Sequence, residues 1–306
     1  MKKTLLLLLA SLFLVSCPEE AKIMDLFHSA DMTLPVVLDY SLKDNRIFLI
    51  EFSETVDMTE ILFSGEALDP PGLGKSFSIP LPYALEPGEE KRISFTVEKD
   101  KGSLTRVSLR VMGKNPDIPK VLINEVSIKG TSASPDRIEL LIMEKGNVAG
   151  MRVEDGNWGY TLPSIEVKKD DLILIYWDKP TARSHYFRSD GKMTYILNAY
   201  APSTLSGTEG LLILKREKDG ETADALLYSD KGEAAFSGEE KKSQRDGLIA
   251  LGQWEGEVFD SSLVTSSRVI ARLPGGVDSD TSEDFFITQA RKSSFGELNS
   301  YLPYNE

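Results

Sequence analysis

The sequence predicts an all-β protein in which two tandem antiparallel β-sandwiches follow an N-terminal signal segment. Short runs rich in β-branched and aromatic residues recur along the chain, and stretches containing Pro, Gly and polar turn residues separate them. The first half contains no convincing helix of three or more turns. A length of 306 residues with 41% hydrophobic residues is enough for about two domains with hydrophobic cores.

The composition excludes several classes of function. The chain has 35 Lys and Arg residues against 48 Asp and Glu residues, which gives a formal net charge of −13 and a pI near 4.8. Nucleic-acid binding needs clustered cations that displace counterions from phosphates, so we expect no direct nucleic-acid binding. The single cysteine excludes an intrachain disulfide framework and a cysteine-based zinc cluster.

Residues 1–16 have the organisation of a secretory signal. Lys2 and Lys3 precede an apolar run over residues 5–15, and the only cysteine, Cys17, follows. The run is shorter than the roughly 20 apolar residues that a membrane-spanning helix needs. Its end resembles the lipobox of bacterial lipoprotein signals, through Leu14, Val15 and Ser16. The resemblance implies lipid attachment at Cys17 and a membrane anchor made of acyl chains. The alternative is an ordinary signal peptide that ends near a cysteine.

Residues 17–33 are acidic with scattered apolar positions, and we interpret them as a tether. The first domain is expected over residues 34–115. Its clearest strand is residues 92–97, where Ile93, Phe95 and Val97 alternate with polar residues and share one face. Further strands are predicted over residues 35–40, 46–52, 76–79 and 106–112.

One run in this domain carries a family resemblance. Residues 45–57 read NRIFLIEFSETVD, a strand that ends in Phe52-Ser53 and is followed by a polar pair and Val56-Asp57. This run resembles bacterial Ig-like domains of the S-layer and adhesin type. The resemblance implies an Ig-like sandwich that serves as a spacer or a binding module.

A linker with two prolines in four residues, at residues 114–119, precedes the second domain, which we expect over residues 120–301. Two polar connections, residues 179–192 and 233–257, are interpreted as surface insertions. Strands are predicted over residues 121–126, 136–143, 151–154, 172–177, 210–216, 223–228 and 269–272.

This second domain resembles a lamin-tail domain, a small Ig-like β-sandwich. The opening residues 121–126 (VLINEV) match the first strand of that family, and residues 136–140 (DRIEL) match its Ile-Glu-Leu strand. Residues 150–156 (GMRVEDG) fall on its Gly-Trp-x-Leu-x-Asp segment, with Met151 in place of the tryptophan. The closing pattern runs from Arg272 to Asn299. The resemblance implies an interaction module that brings no catalytic residues.

Residues 69–76 are a candidate phosphate-binding loop, but the first residue does not match the required pattern. The pattern GxxxxGK[ST] over residues 69–76 needs glycine where Asp69 stands, and a carboxylate there repels phosphate. A helix is also required after the loop, whereas residues 76–80 suggest a strand ended by proline. We therefore expect a surface turn.

An acidic stretch near the C-terminus is a weak calcium candidate. Asp278, Asp280 and Asp284 offer oxygen ligands at nearly alternate positions. Glu283 occupies the position where a calcium loop needs glycine, and Gln289 stands where it needs a closing glutamate. A solvated acidic loop is the other interpretation. We expect no further cofactor.

Nucleophilic catalysis has little support in the sequence. Its two histidines are His28, in the tether, and His185, in an insertion, and neither has a supporting local motif. Hydrolysis by a carboxylate pair stays open, because sequence does not show the separation of acidic side chains. Three aromatic residues in or beside predicted loops are candidate contacts for a protein or glycan partner: Trp158, Tyr186 and Trp254.

Together these features predict a lipid-anchored protein of the bacterial cell envelope that acts as a non-enzymatic binding or scaffold module. We expect it to contact the membrane through acylated Cys17, at the outer membrane or facing the periplasm, with the cell surface as a further alternative. Its partner is expected to be an unidentified protein or glycan. Two alternatives stay open: an envelope hydrolase or nuclease-associated protein in which the lamin-tail domain is an accessory module, and a structural spacer.

Overall fold

The computed structural model describes residues 35–99, 104–217, 220–231, 236 and 238–305. The predicted signal, lipobox, lipidation residue Cys17, tether and His28 lie outside the described residues. Two compact units are formed: the first comprises the described residues up to Ala84 with Lys91–Val111, and the second comprises Leu85–Glu90 with Met112 onward. Among the described residues, no helix has the length and apolar character needed to cross a membrane.

The first unit is built on one six-stranded sheet. Its strands are β1 (Val37–Lys43), β2 (Ile47–Phe63), β3 (Glu66–Leu68), β4 (Gly72–Pro80), β5 (Glu90–Glu98) and β6 (Leu104–Met112).

Strand β2 organises this unit because its two halves have different partners. The first half pairs with β1 and with the end of β4, and the second half pairs with β3, β5 and the start of β4. Irregular register between Glu51 and Val56 bends the strand, so the sheet curls into a half-barrel. Phe52 lies at the centre of its core, with the ring centroids of Phe77 and Phe95 at 6.0 and 5.8 Å in edge-to-face geometry.

The described residues of the second unit form three sheets. In spatial order, the seven-stranded sheet is β14 (Tyr186–Phe187), β15 (Met193–Asn198), β13 (Leu172–Tyr176), β8 (Arg137–Ile142), β7 (Val121–Ser127), β19 (Ile270–Arg272) and β20 (Phe285–Ile287). The five-stranded sheet is β11 (Gly159–Thr161), β10 (Arg152–Glu154), β16 (Glu209–Lys215), β17 (Thr222–Ser229) and β18 (Phe259–Asp260). The short pair is β9 (Gly146–Asn147) with β12 (Glu166–Val167).

The hydrophobic core of this unit lies between the seven-stranded and five-stranded sheets. Both sheets contribute fully buried aliphatic residues, such as Ile123 and Ile173 from one and Leu211 and Leu226 from the other. The predicted all-β sandwich class is confirmed. Two strand pairs are parallel rather than antiparallel, β13 with β15 and β17 with β18. A parallel pair needs a long crossover, and the predicted insertions supply one in each case.

One helix, α1 (Glu239–Ala250), lies in the second of these insertions. Its two leading residues, Glu239 and Glu240, complement the positive end of the helix dipole. Leu248 is its buried residue. A helix with one buried side chain leaves almost no periodic apolar signal, so the sequence indicated only a polar connection there.

Candidate functional site

A bulge in strand β7 creates a buried polar site in the second unit. Ile123 pairs with Leu140 while Glu125 pairs with Glu139, so Asn124 is an extra residue in the register. Ile123 and Val126 both belong to the core between the sheets. The bulge therefore turns Asn124 and Glu125 together towards the outer face of the seven-stranded sheet.

Residues 289–305, which we call the C-terminal strap, cover that outer face. Ser294 donates its backbone N–H to both carboxylate oxygens of Glu125, at 2.9 and 3.0 Å, and its hydroxyl lies 3.2 Å from Oε2. Glu139, directly opposite on β8, accepts from the backbone N–H of Gly296 at 2.5 Å and from Asn124 Nδ2 at 2.8 Å. The strap thus supplies backbone donors to both carboxyl groups.

Asn299 links the strap to two strands of the sheet. Its Nδ2 donates to the carbonyl oxygens of Asn124 and Arg272, at 3.1 and 2.8 Å. Its Oδ1 accepts from Asn124 Nδ2 at 3.0 Å. The carbonyl oxygen of Gly296 accepts from the hydroxyls of Thr194 and Tyr186, at 2.9 and 3.2 Å. These bonds connect the strap with β7, β19, β15 and β14.

The two carboxyl groups titrate near neutral pH. Burial raises the pKa of Glu125 from its ordinary 4.5 to about 7, despite the opposing hydrogen bonds from Ser294. Burial, followed by the neighbouring charge of Glu125, raises the pKa of Glu139 to about 8. Both residues have no exposed surface. The pair can hold protons at neutral pH, but its carboxyl groups are closed to a substrate in this arrangement.

The sequence analysis did not single out this site. Its signal was the polar Asn124-Glu125 step inside an otherwise apolar strand, together with Glu139 between Ile138 and Leu140. Buried polar groups need hydrogen-bond partners, so these residues indicated that another segment covers the strand. No local sequence pattern indicated that the partners of Glu125 and Glu139 are Ser294 and Gly296, about 160 positions later along the chain.

Arg272 forms a second buried polar centre, on β19. Its side chain is fully buried and donates to the carbonyl oxygens of Ile123 and Val277, at 2.7 and 2.6 Å. It also donates to Asp224 Oδ2 at 2.6 Å. The guanidinium carbon lies 4.4 Å from the ring centroid of Phe285. Burial raises the pKa of Asp224 to about 6, although the charge of Arg272 opposes this rise.

Two of the three predicted calcium residues, Asp278 and Asp284, lie beside this arginine. Asp278 binds Lys120 Nζ at 2.9 Å and lies 3.8 Å from Arg272, while Asp284 lies 3.7 Å from Arg272 and caps its own 3₁₀ turn. Burial, followed by the charges of Asp278 and Asp284, raises the pKa of Asp280. Within the part of the chain that the structure describes, no group of three or more His, Cys, Asp or Glu side chains could hold a metal ion. Protein cations thus occupy the position where the sequence suggested calcium.

The three predicted contact aromatics have different environments. Trp254 is 1% exposed and belongs to the core, so its prediction as an accessible contact is wrong. Trp158 is half-buried and packs edge-to-face on Trp177 at 5.3 Å. Tyr186 is 39% exposed on β14, the edge strand of the seven-stranded sheet, and its neighbour Phe187 is 76% exposed. We call Tyr186 and Phe187 the edge aromatics. Phe187 was not among the contact aromatics predicted from the sequence.

The two remaining motifs have no local catalytic arrangement. The ring of His185 lies 6.3 Å from that of Tyr195, in a tilted contact. In the candidate phosphate loop, strand β4 already begins at Gly72, so residues 72–76 are extended rather than a turn. A strand instead of a helix follows the glycines, and a helix N-terminus for phosphate is absent from this described segment.

Comparison with known proteins gives one partial similarity. A family model described as TP_1001_2nd, protein second domain, matches residues 119–187. The matched stretch includes β7, β8 and β13 and covers less than a quarter of the chain. No curated protein matches the chain.

Proposed function

We propose that the chain is a lipid-anchored protein of the bacterial cell envelope and that its second unit is a non-enzymatic binding or scaffold module. The lipobox-like residues 14–17 support the anchor. The resemblance to the lamin-tail family supports an interaction role for the second unit. The closed carboxyl pair supports a structural rather than a hydrolytic role for the most perturbed acids.

The observation that carries the binding proposal is the exposure of the edge aromatics. Phe187 places most of its ring in solvent, although large apolar side chains gain from burial. Arg188 N–H donates to Lys192 O at 2.7 Å. The alternation of an antiparallel pair therefore directs the backbone N–H and C=O of Phe187 away from β15. An extended partner segment would find both an apolar anchor and backbone hydrogen-bonding groups at this edge.

Site-specific photocrosslinking in intact cells of the native bacterium tests the binding role. A photoreactive phenylalanine analogue is placed at Phe187 or, as a matched control, at Leu251, which is 72% exposed after α1. We expect discrete adducts from position 187 that position 251 does not give. Equal adduct patterns, or none at either position, would contradict the proposal and favour the structural spacer.

The anchor has its own experiment. Labelled palmitate should be incorporated into the wild-type chain, and Cys17→Ser should abolish the label and release the protein from the membrane fraction. Protease added to intact and to permeabilised cells then distinguishes the cell surface from the periplasm. Incorporation that survives Cys17→Ser would rule out lipidation at this residue.

A further inference from the structure

The middle of the C-terminal strap contacts the sheet chiefly through the carboxyl pair and its amide neighbours. Ser294 and Gly296 donate backbone N–H groups to Glu125 and Glu139, and Asn299 bonds to the bulged strand β7. The two ends of the strap are joined to each other, because Gln289 N–H donates to Leu302 O, and the far end is attached to β20, because Tyr304 N–H donates to Ile287 O. Between these attachments the two carboxyl groups accept the backbone N–H groups of Ser294 and Gly296, so closure of the segment is linked to the state of both acids as well as to the bonds of Asn299 and of the Gly296 carbonyl oxygen.

The two carboxyl groups face each other without a cation between them in the described structure. They are directly opposed across β7 and β8, which places their Cβ atoms about 5 Å apart. The charge of Arg137 favours ionisation of Glu125, and that of Arg188 favours ionisation of Glu139. Each arginine has other partners. The guanidinium of Arg137 lies 4.1 Å from the ring centroid of Phe295 in the strap.

Arg188 is likewise engaged elsewhere. It pairs with Asp190 at 2.8 Å and donates to the carbonyl oxygen of Asp170 at 2.5 Å. The strap itself brings Glu297, which is exposed and whose carboxylate lies 4.0 Å from Arg188 Nε. The buried pair is therefore only partly compensated when both groups are ionised, and two adjacent buried negative charges repel each other.

We propose that the C-terminal strap is a proton-linked clasp: it closes over Glu125 and Glu139 when they hold protons and opens when both become ionised. Opening returns the carboxyl groups to water, where their charges are solvated. It also withdraws the Gly296 carbonyl oxygen from the hydroxyl of Tyr186. Tyr186, one of the edge aromatics, is thereby coupled to the protonation of carboxyl groups on β7 and β8, several strands away in the same sheet.

The sign of the pH dependence of strap opening follows from the direction of the pKa shifts of Glu125 and Glu139. Both folded-state pKa values, about 7 and about 8, lie above the ordinary value of 4.5, so the closed strap binds protons more tightly than the open one. The stabilisation of the closed strap by protonated Glu125 and Glu139 is complete below pH 4.5. It is lost as the pH rises through 7 and 8. Each proton released on opening raises the opening constant by up to about tenfold per pH unit.

Hydrogen exchange of the full mature chain, followed by mass spectrometry, tests the clasp. Protection of peptides spanning residues 292–300 is measured between about pH 6 and pH 8, after correction for the intrinsic pH dependence of exchange. We expect protection to fall by about tenfold or more over this range. Peptides from β16 and β17 serve as the internal reference and should change much less. Constant protection of the strap, or an equal change in the reference peptides, would overturn the proposal.

Isosteric variants identify the responsible groups. Glu139→Gln should flatten the pH dependence of strap protection, and Glu125→Gln provides a second test if the first variant does not fold. Glu297→Gln, which removes an exposed carboxylate from the same strap, should keep the wild-type slope. A wild-type slope in either buried-site variant would contradict the clasp.

Discussion

Replacing Arg272 by methionine should be among the most damaging single changes in the second unit. The arginine side chain is fully buried and donates to two carbonyl oxygens and to Asp224, at 2.6 to 2.7 Å. Methionine has a similar length but no donor. The variant therefore leaves the 2% exposed carboxylate of Asp224 without its main partner.

The expected loss is about 3–5 kcal/mol, because removing one member of a buried ion pair leaves an uncompensated buried charge. This is a large part of the about 5–15 kcal/mol by which domains are usually stable. With a urea dependence of about 2 kcal/mol per molar, the unfolding midpoint should fall by roughly 1.5–2.5 M.

Tryptophan fluorescence measures this change selectively. The chain has three tryptophans, and all of them, Trp158, Trp177 and Trp254, lie in the second unit. The control is Arg245→Met, which breaks a partly exposed pair with Asp246 on α1, whose N and O atoms are 2.7 Å apart. It should change the free energy of unfolding by less than about 0.5 kcal/mol.

A double variant tests whether the loss of stability comes from an unpaired buried charge. If the penalty comes from an unpaired buried charge, adding Asp224→Asn to Arg272→Met should restore part of the lost stability. A double variant that is less stable than Arg272→Met, or equal midpoints for Arg272→Met and Arg245→Met, would refute the explanation.

Three further predictions concern other parts of the chain. Gly296→Ala should lower the free energy of unfolding, followed by tryptophan fluorescence, by about 1–3 kcal/mol, because φ is +89° and the new Cβ meets the Tyr186 hydroxyl. Gly252→Ala, with φ +69° and open space around it, should cost less, and equal losses would count against the contact. Millimolar calcium should leave the thermal midpoint unchanged, since protein cations already neutralise the carboxylates beside Arg272; a rise would contradict this. Phe52→Ala should remove about 3–5 kcal/mol from the first unit, seen as lost amide protection in β2; unchanged protection would be inconsistent with its central packing.

Strands with clean alternation were predictable from the sequence. Residues 92–97 lie within β5, and Ile93, Phe95 and Val97 are all buried, as period-two patterning requires. The apolar runs of the second unit, such as residues 121–126 and 172–177, likewise overlap strands. In the alternating segment, the order of apolar and polar side chains is enough to identify the buried face of the strand. In the continuous apolar runs, it is enough to identify a strand that is buried as a whole.

The elements that the sequence missed depend on distant partners or on few buried groups. Helix α1 buries Leu248 and is otherwise largely polar. Trp254 follows the helix among glutamates and glycines, so its neighbourhood suggested a loop although tertiary packing buries it. The bulge at Asn124 breaks the alternation that a register argument needs, and its partner Asn299 is 175 residues away.

This separation has a consequence for the order in which the second unit folds. Asn124 and Asn299 are 175 residues apart, and closing so long a loop costs more conformational entropy than pairing neighbouring strands. Glu125 and Glu139 can therefore become opposed on their two strands before the strap covers them, and they remain hydrated and negatively charged in the meantime. Docking of the strap must then combine dehydration of the two carboxyl groups with proton uptake from the surrounding medium.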